Sequence, residues 1–182
     1  MNVMKILVIR HGLTKYNKLK RLQGQTIENP LTPEGIKAAK QISTSLPERI
    51  DVIYTSDLLR TRQTTEIINK SFNTEVVSTP KLREIHFGSL TGDTWDEIAK
   101  KKGKEFVDNY LEQKYNFHAF SGESFQDVKK RVLEVLEEIK QKYYGKKVLL
   151  VTHGGIIRFM KYYFLNEIGG LNPNLSIHEF EI

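Results

Sequence analysis

Two short apolar runs end in the same way, and this repetition constrains the fold more than any other feature of the chain. Lys5–Arg10 (KILVIR) runs directly into His11-Gly12, and Lys147–Thr152 (KVLLVT) runs directly into His153-Gly154-Gly155. A third run, Asp51–Thr55 (DVIYT), leads into Ser56-Asp57. All three are nearly continuous rather than alternating in polarity, which is the pattern of strands covered on both faces. Glu75–Ser78 and Ser176–Ile182 are weaker strand candidates.

Helical patterns fill the gaps. Thr32-Pro33-Glu34 sets a cap before a first-turn proline, and Ile36, Ala39, Ile42 and Leu46 then recur on one face. Ser56-Asp57 is expected to open a helix that carries Arg60 and ends near Asn69. Thr94-Trp95-Asp96-Glu97 is a capping-box pattern closed by Gly103. Ser124 starts the longest helix, with Phe125, Val128, Val132, Val135, Leu136 and Ile139 at helical spacing, and Gly145 stops it. Gly155–Leu165 is the last. Strands alternating with helices predict a three-layer αβα fold around a mostly parallel central sheet. At 182 residues, the chain is expected to be one domain, 1–182.

Composition excludes several chemistries. The chain has no cysteine, so a disulfide scaffold, a cysteine-based metal site and a cysteine nucleophile are all ruled out. Lys and Arg number 28 against 22 Asp and Glu, a net charge of +6 that favours anionic partners. The first ten residues lack the pattern of a signal peptide, and no stretch approaches the ~20 apolar residues that span a bilayer. The expectation is a soluble, cytoplasmic protein with no membrane partner.

In open α/β sheets, ligands bind beyond the carboxyl ends of the strands. Both His11 and His153 fall there, and a glycine after each lets backbone approach a ligand closely. Alone, either residue reads as an ordinary hydrogen-bonded loop histidine. Arg10 precedes His11, and Arg60 lies in the first turn after the DVIYT strand, so two guanidiniums join two imidazoles at one sheet edge. Arginine presents a planar fork of donors suited to phosphate oxygens. The cluster describes a phosphoryl pocket, and its fixed positive charge disfavours a divalent metal.

The motifs around these residues resemble those of the histidine phosphatase superfamily, also called the phosphoglycerate mutase-like family. Arg10-His11-Gly12-Leu13-Thr14-Lys15-Tyr16-Asn17 reads RHGxTxxN. Gln23-Gly24 with Pro30-Leu31-Thr32-Pro33-Glu34-Gly35, Ser56–Thr64, Leu82–Gly88, Ser121-Gly122-Glu123-Ser124 and Val151–Arg158 follow in the family's order across nearly the whole chain. The resemblance implies a phosphoglycerate mutase-like fold and a metal-independent phosphomonoesterase without cofactor. It implies His11 as nucleophile, with Arg10, Arg60 and His153 on the phosphoryl oxygens. Glu84 would be the proton donor and acceptor for the leaving alcohol and for water. Asn17, Gln23, Gly24 and Gly154 are expected to contribute to substrate binding.

Two departures lie on the leaving-group side. Gln25-Thr26-Ile27-Glu28-Asn29 is one residue longer than the family pattern, and Ser89-Leu90-Thr91-Gly92 replaces a Glu-Gly pair after the Phe-Gly turn. The partner is expected to be a small phosphorylated metabolite, with α-ribazole phosphate suggested by a likeness over Gly92–Ile98 and a sugar phosphate as the related option. Two alternatives stand: a phosphoglycerate mutase, and an inactive anion-binding protein that kept the fold. Only 69 positions separate Glu84 from His153, short for a mutase lid and favouring hydrolysis. His86, His118 and His178 read as structural or surface groups. Lys100, Lys101, Lys102 and Lys104 read as a solvated helix end rather than a nucleic-acid site. The sequence leaves the oligomeric state open.

Overall fold

The structure, a computed structural model, describes residues 3–170 and 172–182. Five strands, β1 (Lys5–Arg10), β2 (Val52–Ser56), β3 (Glu75–Thr79), β4 (Val148–Thr152) and β5 (Ile177–Glu181), form one sheet in the order β3-β2-β4-β1-β5. The first four run parallel, and β5 joins β1 antiparallel at the edge. The helices are α1 (Lys15–Lys18), α2 (Pro33–Ile42), α3 (Leu59–Asn69), α4 (Trp95–Lys102), α5 (Lys104–Leu111), α6 (Phe125–Tyr143) and α7 (Gly154–Leu165).

The period-two geometry of the strands divides the core into two layers. Ile6, Val8, Val52, Tyr54, Val148 and Leu150 pack with Val128, Val132, Val135 and Ile139 of α6 and Ile156, Phe159 and Met160 of α7. Ile9, Ile53, Leu149 and Val151 pack on the other side with Ala39 of α2 and Ile68 of α3. Both faces of β2 and β4 are therefore buried, which is why their sequences are continuously apolar. Replacing one such side chain, Leu150 for example, with Ala costs about 2–5 kcal/mol.

Helix boundaries follow their caps. Thr32 caps α2 through the Gly35 amide, and Thr94 with Glu97 and Ser124 with Asp127 form capping boxes on α4 and α6. Three expectations change. Ser56 closes β2 and does not cap α3, which begins at Leu59 behind a Leu58 N-cap that makes no side-chain hydrogen bond. Leu46 is buried from a turn beyond α2, because that helix ends at Ile42. Gly103, at φ 88°, ends α4 as expected, but α5 follows at once, a helix that the capping pattern does not predict.

The register fixes where the site forms. β1 and β4 are adjacent and parallel with Arg10 opposite Thr152, so the next residues, His11 and His153, leave the same edge side by side. The His11 amide donates to the Thr152 carbonyl at 3.0 Å and extends the pairing one step past the strands. No helix among the described residues is long and apolar enough to cross a membrane.

Candidate active site

A cavity of about 350 Å³ opens at this edge. Arg10 and His11 line it from the end of β1, Arg60 from the first turn of α3, and Gly154, Gly155 and Arg158 from α7. Glu84, Asn17, Gln23, Phe87, Trp95 and Tyr110 complete much of the wall.

His11 is buried, and its Nδ1 faces the Gly12 carbonyl at 2.7 Å. A carbonyl can only accept, so Nδ1 carries the proton and Nε2 keeps its lone pair. Burial, reinforced by the charges of Arg60 and Arg10, holds the imidazole well below its usual range. The ring is therefore neutral at neutral pH. Its loop is pinned by the Gly12 amide, which donates to Thr64 Oγ1 at 3.0 Å, and by Asn174 Nδ2, which donates to the His11 carbonyl at 2.9 Å.

Arg60 is completely buried. Its Nη1 donates to the Thr26 carbonyl and its Nη2 to the Gly24 carbonyl, at 2.9 and 2.7 Å. Burial lowers its pKa to about 10, so it remains cationic at neutral pH. Gly24 is thus a support for Arg60, and it is not among the residues that line the cavity. Arg10 donates from Nη1 to the Asn172 carbonyl. Gly154 lies against the same guanidinium, so close that an added Cβ would stand 3.3 Å from Arg10 Nε.

His153 stands behind His11, ring centroids 5.2 Å apart, fully buried and not among the lining residues. Its Nε2 is 2.9 Å from Ser56 Oγ, which also accepts the Leu58 amide. The hydroxyl can give its own proton to Nε2, and in that arrangement the ring carries its proton on Nδ1. Burial, then the charges of Arg60 and neighbouring groups, keeps this ring neutral as well.

Most of the free valences at the cavity are donors, with Asn172 Oδ1 the unpaired acceptor among them. Arg10 Nε, Arg60 Nε, His153 Nδ1, and Arg158 Nε and Nη1 are buried without a hydrogen-bond partner among the described residues. Asn17 Oδ1 is occupied by Thr14 and Asn174, and Gln23 Oε1 by Asn29 Nδ2 at 2.6 Å. Both amides can therefore offer a ligand their NH2 groups. Unpaired buried donors are costly, and an anion with several acceptor oxygens satisfies them together. Among the described residues, no group of three or more His, Asp or Glu side chains is placed to hold a metal ion.

Glu84 faces this array as the one carboxylate on the cavity wall. Its Oε1 accepts the Ile85 amide at 2.9 Å and its Oε2 the Gly155 amide at 3.1 Å. The loop beneath is clamped by Arg131, a residue sequence reasoning passed over. Arg131 pairs with Glu123 through Nε and Nη2 at 2.8 and 2.9 Å, and it also donates to the carbonyls of Lys81, Arg83 and Glu84. The signal was present: Arg131 falls between Val128 and Val135 on the buried stripe of α6. Other lining residues the sequence did not single out are Trp95, Tyr110, Asn172 and Asn174.

The remaining histidines lie outside the cavity wall: His86 Nδ1 accepts the Gly88 amide, His118 pairs with Asp127 and His178 contacts Ser176. The lysines at the α4–α5 junction are exposed, with Lys101 on Asp93, Lys104 on Asp108 and Lys102 over the Phe120 ring.

A three-layer sheet with paired histidines and arginines at its carboxyl edge defines the phosphoglycerate mutase-like class. Comparison with known proteins gives the family. Residues 6–179 match the histidine phosphatase superfamily (branch 1), and the chain belongs to that superfamily. It is 39% identical over 159 residues to a metal-independent phosphoserine phosphatase of Arabidopsis thaliana, an alignment covering 86% of this chain and 66% of the plant protein. It is 33% identical over 156 residues to a probable phosphoglycerate mutase of Serratia proteamaculans, covering 84% and 70%. In three dimensions it matches a mycobacterial glucosyl-3-phosphoglycerate phosphatase with a TM-score of 0.85 at 26% identity, over 97% of this chain and 89% of that one.

Proposed function

We propose that the protein hydrolyses small phosphomonoesters through a phosphohistidine on His11. The observation that carries this reading is a neutral, buried His11 set among the unpaired donors of Arg10, Arg60 and His153. His11 Nε2 attacks phosphorus and the bond from phosphorus to the ester oxygen breaks. Arg10, Arg60 and His153 Nδ1–H stabilise the charge on the equatorial oxygens. Glu84 gives its proton to the departing alcohol. In the second half, Glu84 takes a proton from water, the hydroxide attacks phosphorus, and the bond to Nε2 breaks to return neutral His11. Asn17 and Gln23 add donors around the phosphoryl group, and Gly154 leaves room for Arg10.

Substrate size follows from the cavity, which suits a small metabolite. The plant relative is named a phosphoserine phosphatase, and the mycobacterial structure is of a phosphatase of a glycosylated phosphoglycerate. These names favour phosphoserine- and phosphoglycerate-type esters over α-ribazole phosphate. The relatives named as probable phosphoglycerate mutases support mutase chemistry as the second reading.

The experiment is ³¹P NMR of the enzyme with 3-phosphoglycerate, with and without 2,3-bisphosphoglycerate, alongside nitrophenyl phosphate turnover in chelator. Release of inorganic phosphate, undiminished by chelator, is expected. Rapid interconversion of phosphoglycerate isomers with little free phosphate would select the mutase. No turnover of any ester would leave a binding protein.

A further inference from the structure

Among the cavity's cations that the phosphoryl chemistry above does not use, Lys20 and Arg21 are exposed, whereas Arg158 has two buried guanidinium nitrogens. Arg158 lies on α7, three and four residues beyond Gly155 and Gly154, a spacing that puts all three on one helix face toward the cavity. Its guanidinium sits over the Tyr110 ring, 4.7 Å from the centroid. Tyr110 stacks on Trp95 with centroids 4.3 Å apart, and Phe87 meets both rings edge-on. This aromatic wall holds the guanidinium in place and shields it from water. Arg158 Nε and Nη1 are nevertheless buried with no hydrogen-bond partner among the described residues. The nearby carboxylate, Glu84, is held by the amides of Ile85 and Gly155. The neighbouring Arg10 carries a like charge. Apart from Tyr110, the described residues offer Arg158 Nε and Nη1 no acceptor, which leaves that place for an acceptor on the ligand.

We propose that Arg158 forms a second anion subsite, which binds a carboxylate on the leaving group of the substrate. The inference rests on the phosphatase reading and narrows its substrate class to phosphorylated hydroxy or amino acids. Charge favours a carboxylate over a second phosphate. The dianionic phosphoryl group occupies Arg10, Arg60 and His153, and a single guanidinium then matches a single negative charge. Shape agrees, because the planar fork of arginine complements a planar carboxylate. The aromatic floor lowers the local dielectric and strengthens the contact.

The test compares phosphoserine with phosphoethanolamine, which differ only in the carboxylate, in the wild type, Arg158→Met and Arg158→Lys. Nitrophenyl phosphate reports the phosphoryl chemistry separately. A charge-assisted bond of this kind predicts that wild-type kcat/KM favours phosphoserine by about 10–100-fold, mostly through KM. Arg158→Met should bring the ratio near unity, and Arg158→Lys should restore part of it. Circular dichroism checks folding, and if Arg158→Met fails to fold, the wild-type ratio and Arg158→Lys carry the test. Equal wild-type use of the two esters, or a preference that survives Arg158→Met, overturns the subsite. A wild-type preference for 2,3-bisphosphoglycerate over 3-phosphoglycerate that Arg158→Met removes would assign it to a second phosphate and overturn the carboxylate. Failure of the wild type on nitrophenyl phosphate would instead overturn the phosphatase reading, and the subsite with it.

Discussion

The Glu84 carboxylate is seated on the backbone of Gly155. Its Oε2 accepts the Gly155 amide, and a Cβ added at that glycine would overlap Oε1. The first turn of α7 therefore sets the position of the proposed proton donor through the absence of a side chain.

Gly155→Ala should displace Glu84 while leaving α7 intact, since Ala is the better helix former. General acid–base work is worth ~10²–10⁴ in rate, so loss on alkyl phosphates should approach that range. Nitrophenyl phosphate, whose leaving group departs as an anion, should lose less in the burst phase. Glu84→Gln should give the same ordering. Equal losses on both substrates would show that Glu84 is not the acid.

The two buried imidazoles predict how stability depends on pH. His11 and His153 have native pKa values held well below the ordinary 6.5. As pH falls below that value, the unfolded chain takes up protons that the native state refuses. Stability is therefore present above pH ~6.5 and is lost progressively on acidification towards the native pKa values. Each histidine contributes a slope of up to ~1.4 kcal/mol per pH unit in that window. Urea unfolding of His11→Gln between about pH 6 and pH 5 should show a slope shallower by about that amount. An unchanged slope would mean that His11 titrates normally in the native state.

Arg131 is predicted to act on catalysis without touching substrate. It joins Glu123 to three carbonyls of the Glu84 loop, with its side chain 14% exposed and that of Glu123 19%. Arg131→Met leaves Glu123 unpaired, which should cost about 3–5 kcal/mol of stability. The surviving enzyme should lose kcat on alkyl phosphates more than on nitrophenyl phosphate, as Glu84→Gln does. A purely structural role would lower stability and leave that substrate ratio alone.

The parts of this fold that were legible are those written by one interaction. Buried parallel strands need apolar side chains on both faces, so KILVIR and KVLLVT announced themselves. Their shared endings placed His11 and His153 together before any register was known, and the register then brought the rings to 5.2 Å. The illegible parts depend on contacts distant in sequence. Ser56 has the composition of a helix cap, because serine favours caps, yet its hydroxyl lies 2.9 Å from His153 Nε2 on the neighbouring strand's end. Helix α5 was obscured because the glycine that ends α4 also begins it. The Gly24 motif does not reveal that the glycine's carbonyl holds Arg60. Arg158 was visible in the second histidine motif, but only the stacking on Tyr110 gives it a task.

The central claim is that His11 carries the phosphoryl group. Rapid-quench turnover with a ³²P-labelled ester, worked up in alkali, tests it most directly. The account predicts an acid-labile, alkali-stable phosphohistidine that maps to His11, forms within one turnover and is absent from His11→Ala. An acid-stable phosphoserine, or label that persists in His11→Ala, would contradict it.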